Sequence, residues 1–131
     1  MKTKLFGLML FVASMLGAQN KLTVVVDGIE NIKGHLMLSV QDSVENRVSA
    51  MMQKIENETV TLVFDSIVPG RYAVSVYQDE NDNRKLDTGV FGIPKEKYGF
   101  SNNVRGKMGV PAFKERLFKV EEDTVIYITL Q

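Results

Sequence analysis

The sequence contains no cysteine and a single histidine, His35. The lack of cysteine excludes disulfides, a thiolate nucleophile and a lipid anchor attached through cysteine. One histidine without any cysteine argues against a catalytic zinc site. No serine stands at an evident partner position for His35, so we expect this residue to lie at the surface or at a strand edge, and we expect a protein that is not an enzyme.

An excess of one charge sign is also absent. The chain carries 16 basic and 16 acidic residues. Lys2 and Lys4 belong to the segment that we expect to be removed, which leaves the remainder slightly acidic. A nucleic-acid-binding protein needs a basic field over part of its surface, so this balance excludes nucleic acid as an expected partner.

Long hydrophobic runs are missing except at the start, where Lys2 and Lys4 precede the apolar stretch LFGLMLFVASML. This pattern is typical of a secretory signal peptide, and we expect residues 1–18 to be removed by cleavage after Ala18. The stretch is shorter than the ~20 residues that a transmembrane helix needs, and no later segment approaches that length. We therefore expect export to the periplasm or the cell exterior, with no transmembrane segment.

From residue 19 onward, apolar residues mostly recur at every second position. This period predicts short β-strands at 22–29, 35–41, 59–67, 71–78, 116–122 and 124–130. Strands separated by turn signals favour an antiparallel sandwich over alternating strands and helices. We predict that residues 19–131 form one all-β sandwich domain of about seven strands. Segment 43–55 fits either a short helix or an irregular crossover that carries one sheet edge.

Residues 79–113 interrupt this pattern with a long segment rich in glycine. The same segment contains Phe91, Tyr98, Phe100 and Phe113, which are too many aromatic residues for a disordered linker. Long connections in compact domains are usually functional. We therefore predict a long ordered loop, folded back on the sandwich, that carries whatever function the protein has.

The loop begins with DENDNRKLD, which offers the oxygen ligands that Ca²⁺ prefers. The candidate ligands are the side chains of Asp79, Asn81, Asn83 and Asp87 and the main-chain carbonyl of Lys85. Two charged ligands predict weak affinity, with a dissociation constant on the order of 10⁻⁴–10⁻³ M. The alternative is a polar turn, since Asp and Asn side chains bond to nearby main chain and tolerate left-handed conformations.

Two stretches resemble known families. VFDSIVPGRYAVSVYQDEN (63–81) resembles a strand pair of transthyretin-like and carboxypeptidase-regulatory-like β-sandwiches. The longer stretch, residues 79–113, resembles a family of small secreted bacterial proteins that is defined as a domain of unknown function. The motif of that family is D-x-N-x-N-x-x-L-D followed by G-x-P-x-E-x-Y-G-F-S-N-N. The departures are Gln78, where that family often has His, and Arg84 and Lys97, where it often has Gly. The resemblance implies a sandwich fold and a secreted protein, and it implies no activity.

Together these patterns predict a non-catalytic binding or accessory module whose ligand is a glycan, a peptide or a protein. Its expected contact surface follows the DENDNRKLD turn and comprises Glu96, Tyr98, Phe100, Ser101, Asn102 and Asn103. Two alternatives stay open. One is a small hydrolase that uses carboxylates of the same loop, such as Glu80, Asp82 and Glu96. The other is a structural partner subunit joined through an edge strand.

Overall fold

The structure, a computed structural model, describes residues 19–85, 96–106 and 109–131. The expected signal peptide and residues 86–95 of the loop, including Asp87, lie outside these ranges. The described residues form eight strands: β1 Asn20–Asp27, β2 His35–Asp42, β3 Arg47–Lys54, β4 Val60–Ile67, β5 Gly70–Asp79, β6 Tyr98–Phe100, β7 Phe118–Val120 and β8 Thr124–Thr129. Two short 3-10 turns, Ser101–Asn103 and Phe113–Arg116, complete the described elements.

The strands form two sheets. One has three strands in the order β4–β1–β8, and the other has five, in which β3, β2, β5 and β6 are neighbours and β7 also pairs with β5. β6 pairs with residues 75–77 of β5, and β7 pairs with residues 70–72 of the same strand. β2 pairs with β5 over residues 72–79, so β6 and β7 share the opposite edge of β5.

The core lies between the two sheets and is built from alternate residues of their strands. Every second residue of β1, β2 and β5 points inward, because successive side chains of a strand face opposite sides. The inward-facing apolar residues of these strands are buried: Leu22, Val24, Val26, Leu36, Leu38, Val40, Tyr72, Val74 and Val76. Ile128 of β8 and Leu130, which follows this strand, close the core. The intervening residues face outward, and those of the five-stranded sheet form the site described below.

The prediction of an all-β sandwich is confirmed, with three differences in detail. β1 pairs with β8 in parallel, while the other strand pairs are antiparallel. Segment 43–55 contains the edge strand β3 and no helix. Both Val48 and Met52 are exposed there, so β3 lacks the alternation of buried and exposed residues by which strands are recognised in a sequence. The predicted strand 116–122 is shorter, because the 3-10 turn occupies residues 113–116.

Gly99 allows β6 to lie close to β8 of the other sheet. A Cβ atom on Gly99 would come within 2.5 Å of Ile128 Cγ2. The main chains of Tyr98 and Gln131 also exchange two hydrogen bonds, of 3.3 and 3.0 Å. These contacts hold the end of the long loop against the sandwich.

No helix in the described ranges has the length and apolar character needed to cross a membrane.

Candidate functional site

The segment 79–85 folds into a turn held by its own side-chain oxygens. The Asp79 carboxylate, which is 1% exposed, accepts hydrogen bonds from the main-chain N–H groups of Asn83 (3.2 Å) and Arg84 (2.7 Å). Asn81 Oδ1 also accepts from Asn83 N–H at 3.3 Å, and Asn83 Oδ1 accepts from Lys85 N–H at 2.9 Å. These bonds are those of a polar turn.

The main chain of this turn is left-handed at two residues, Asp82 (φ 54°) and Arg84 (φ 59°). Arg84 stands where a calcium-binding hand has its invariant glycine, so the tight turn forms here without one. The described residues contain no group of three or more His, Cys, Asp or Glu side chains arranged to hold a metal ion. Asp87, the fifth predicted ligand, lies outside the described residues.

A contact missed at the sequence level joins the turn to β2. His35 Nδ1 lies 2.6 Å from Asp82 Oδ1, and the two side chains are 30% and 58% exposed. His35 pairs with Asp79 in the β2–β5 register, which brings the ring to the start of the turn. Only the pairing of β2 with β5 reveals this contact, because 47 residues separate the two partners in sequence.

Gly34 lets the turn before β2 approach the same site. Its φ is +73°, and a Cβ atom there would overlap the Asp79 carbonyl oxygen. Gln78, fully buried next to Asp79, donates through Nε2 to the carbonyls of Asn31 and Lys33 at 2.7 and 3.1 Å. The family that the sequence resembles often has histidine at this position. In this chain the side-chain amide of Gln78 anchors the 31–34 turn instead.

The hydrolase alternative relies on the carboxylates of Glu80, Asp82 and Glu96. Among the described residues these three do not form one cluster. Glu80 forms an ion pair with Lys33 at 3.5 Å, whereas Asp82 contacts His35. Glu96 is half-buried at the far end of the loop, beside Lys97, which forms an ion pair with Glu30 at 2.8 Å.

Residues 101–103, predicted as contact residues, bind the main chain of neighbouring elements. Ser101 Oγ accepts from Val74 N–H at 3.0 Å and donates to the Arg116 carbonyl. Asn102 Nδ2 donates to the carbonyls of Glu115 and Leu117 at 3.0 and 2.9 Å. Asn103 Oδ1 accepts from Thr129 N–H at 2.9 Å, and its Nδ2 donates to the Tyr127 carbonyl at 3.3 Å. These contacts fasten the loop to β5, to the 113–116 turn and to β8.

Tyr98 and Phe100, also predicted as contact residues, face a cleft on the outer side of the five-stranded sheet. The cleft has a volume of about 680 Å³, and we call it the sheet cleft. Its floor is formed by outward-facing residues of β2, β3, β5 and β6, and its rim by three arginines and by loop residues. The described residues that line it include Met37, Ser39, Ala50, Met52, Ser75, Tyr77, Tyr98, Phe100, Val110, Arg47, Arg84 and Arg116.

The aromatic end of the sheet cleft is ordered by stacking. The rings of Tyr98 and Phe100 meet edge to face, with centroids 5.7 Å apart. The Arg116 guanidinium lies 5.1 Å from the centroids of both Phe100 and Phe113. Burial lowers the pKa of Arg116, while nearby Glu45 acts in the opposite direction. Arginine stays protonated at neutral pH, so this end of the cleft presents a fixed positive charge beside two aromatic rings.

Comparison with the profiles of known protein families identifies a match over most of the chain. Residues 24–127 match the profile of a family described as "Uncharacterized protein conserved in bacteria (DUF2141)". The match includes the second half of β1, all of β2 to β7, most of β8, the 79–85 turn and the lining of the sheet cleft. Searches among curated proteins and among solved structures found no match.

Proposed function

We propose that this chain, which belongs to the uncharacterized bacterial family DUF2141, is an exported, non-catalytic binding module whose ligand occupies the sheet cleft. The observation that supports this proposal is the cleft itself. Its volume of about 680 Å³ falls within the ~300–1,000 Å³ of small-molecule sites, which combine apolar and aromatic walls with a few polar groups.

The position of the cleft adds to this argument. The outward face of a sheet that covers a core is usually polar, so an apolar and aromatic outer face calls for a partner. Met37, Tyr77 and Tyr98 occupy that face here, and Met52 is 48% exposed. Apolar side chains grouped on one outer face, partly or fully exposed, are typical of a binding surface.

A binding test with a neutral apolar dye, Nile red, examines this proposal without assuming the ligand. Ser75 lies in the floor of the cleft, so Ser75→Trp should fill it and weaken dye binding at least about tenfold, which corresponds to about 1.4 kcal/mol. Thr23→Trp is the matched control, since Thr23 is outward-facing on the central strand of the other sheet. Equal dye affinity in both variants would place the dye elsewhere and refute the cleft as the site.

We propose in addition a weak calcium site in residues 79–87. The observation that favours it is the left-handed main chain of Arg84, which gives the turn the conformation that a glycine gives in calcium hands. The polar turn is the competing interpretation, because Asp79, Asn81 and Asn83 already accept main-chain hydrogen bonds. Each of these oxygens has a further lone pair, so the two interpretations differ in ligand binding and not in fold.

Thermal unfolding of residues 19–131 separates these interpretations. A cation that binds only the folded chain stabilises it by about 2.7 kcal/mol at 100 times its dissociation constant. We expect the midpoint to rise by several degrees when millimolar Ca²⁺ is added after chelation, and the rise to disappear in Asp87→Ala. An unchanged midpoint identifies the segment as a polar turn alone.

The rival function is a small hydrolase, and the contact between His35 and Asp82 is the observation that favours it. A carboxylate on one ring nitrogen orients a histidine to act as a base through the other. A screen of ester and glycan substrates tests this idea. Turnover that is lost in both His35→Gln and Asp82→Asn, with folding intact, would replace the binding-module proposal with the hydrolase.

A further inference from the structure

The charge of the sheet cleft is of one sign. Among the described residues that line it, three are arginines and none is acidic. The described ion pairs of the protein involve Lys33, His35 and Lys97, and none involves Arg47, Arg84 or Arg116. The chain as a whole has as many acidic as basic residues, so three arginines in a lining that contains no described acidic residue are a local feature of this cleft. Glu45, which acts on Arg116, lies outside that lining.

Arg116 is held in place by residues of the loop and of the 113–116 turn. Its guanidinium stacks between Phe100 and Phe113, and its main-chain carbonyl accepts a hydrogen bond from Ser101. Asn102 holds the carbonyls of the residues before and after it. The buried Nε of Arg116 has no hydrogen-bond partner among the described residues. A buried donor without a partner costs free energy, and an acceptor on a bound ligand would recover it.

From these observations we propose that the sheet cleft binds a small amphipathic carboxylate, with its apolar body over Met37, Met52 and Tyr77 and its carboxylate at Arg116. This inference rests on the proposed function, because it names the ligand class of the same cleft. A planar guanidinium matches the geometry of a carboxylate and forms paired hydrogen bonds with it. Arg47 and Arg84 add positive charge along the rim.

The apolar floor distinguishes this ligand from the other expected classes. A neutral glycan has no group that needs three arginines, and its hydroxyls would leave the methionine side chains without an apolar partner. A protein partner would bury a flat surface of about 800 Å² on each side. The sheet cleft instead has the volume of a site for one small molecule.

Calorimetric titration of residues 19–131 with three ligands of equal chain length tests the proposal: decanoate, 1-decanol and decyltrimethylammonium. Decanoate should bind at least about tenfold more tightly than decanol, since a charge-assisted hydrogen bond contributes roughly 1.5–3 kcal/mol. The cationic compound should bind more weakly than either. Higher salt should weaken the binding of decanoate and leave that of decanol unchanged.

Substitutions assign the carboxylate to its partner. Arg116→Met keeps the apolar stem between the two rings and should weaken decanoate binding roughly 10- to 100-fold without affecting decanol. Arg116→Lys should restore part of the loss. Arg47→Met should cause a smaller loss of decanoate affinity than Arg116→Met. Because Arg47 is exposed, this variant still tests the proposal if the Arg116 variants fail to fold. Arg71→Met is the matched control, because Arg71 is exposed on β5 and is not part of the cleft lining.

The outcomes separate this inference from the proposed function. Equal affinities for decanoate and decanol, with both lost in Ser75→Trp, would overturn the carboxylate and retain the binding module. An Arg71→Met loss as large as that of Arg116→Met would likewise overturn the assignment to the cleft. Failure of all three compounds, while Nile red still binds in the cleft, would overturn this ligand class alone. Failure of Nile red as well would overturn both proposals.

Discussion

At the residue scale, Asp79 is the side chain on which the 79–85 turn depends. Its buried carboxylate accepts two main-chain hydrogen bonds. Asp79→Ala leaves both donors without that partner, so we expect a loss of about 2–3 kcal/mol in the free energy of unfolding, measured by urea denaturation. The control Asp65→Ala removes an exposed acid of β4 and should change it by less than about 0.5 kcal/mol. Equal effects of the two substitutions would argue against this role of Asp79.

Tyr72 makes a second prediction, for alkaline pH. Its hydroxyl donates to the Val68 carbonyl, and burial, followed by the charge of Asp42, raises its pKa above the ordinary 10.0. The unfolded chain therefore loses this proton first as pH rises. The contribution of Tyr72 to stability is complete below pH 10 and is lost as pH rises through the folded-state pKa.

We expect Tyr72→Phe to lower the free energy of unfolding by about 0.5–1.5 kcal/mol near pH 7. The variant should also lose less stability than the parent protein between neutral pH and pH 11. Tyr127→Phe, at a side chain that is 64% exposed, is the matched control and should follow the parent. An identical pH dependence in Tyr72→Phe would exclude Tyr72 as a source of the alkaline loss.

The role of a residue could be predicted from the sequence where its contacts are local, and not where they are distant along the chain. The polar turn at Asp79, Asn81 and Asn83 was foreseen as one of two alternatives, because its bonds span at most five residues. The roles of His35 and Arg116 were not foreseen. Their partners come together only when β2 pairs with β5 and when the loop folds back over β5, and neither event leaves a pattern in the local sequence.

At the scale of elements, the edge of β5 is completed by a side chain. β6 and β7 pair with different parts of this edge, and fully buried Ser101 bonds to Val74 in the gap between them. Ser101→Ala should cost about 1–3 kcal/mol, because Val74 N–H and the Arg116 carbonyl lose a buried partner. Ser66→Ala, exposed on β4, is the control. Thermal unfolding of both variants provides the measurement, and a Ser101→Ala midpoint equal to that of the control would contradict this account.

The strands were predictable where one face is buried and not where the strand lies at an edge. β1, β2 and β5 alternate buried and outward-facing residues, so their period of two is evident in the sequence. β3 is mostly exposed, and its residues carry no such period. The parallel pairing of β1 with β8 is set by how the last strand returns across the sandwich, which no local pattern records.

At the scale of the whole molecule, the proposal includes export. If residues 1–18 direct secretion, expression of the full chain in a bacterial host should yield a periplasmic or extracellular protein that begins at Gln19. Intact-mass spectrometry of that fraction checks the cleavage site. A full-length chain in the cytoplasmic fraction of the same cells would contradict the proposal of a cleaved signal peptide.

The two faces of the five-stranded sheet have different roles in this account. The inner face packs on the core, and the outer face forms the sheet cleft with Tyr98, Phe100 and the arginines of its rim. The sequence predicted the loop residues Tyr98 and Phe100 as contacts. It did not predict Met37 and Met52, because an outward-facing apolar residue in a strand is common and acquires meaning only beside its cross-strand neighbours.

The most direct test of the central claim is a methyl NMR titration of methionine-labelled protein with decanoate. Met37 and Met52 lie on the outer face and line the sheet cleft, so their methyl signals report on it directly. Substitution of each methionine by leucine assigns the signals. The account predicts saturable shifts of the Met37 and Met52 signals that weaken in Arg116→Met. Unchanged Met37 and Met52 signals, at decanoate concentrations where calorimetry detects binding, would contradict it.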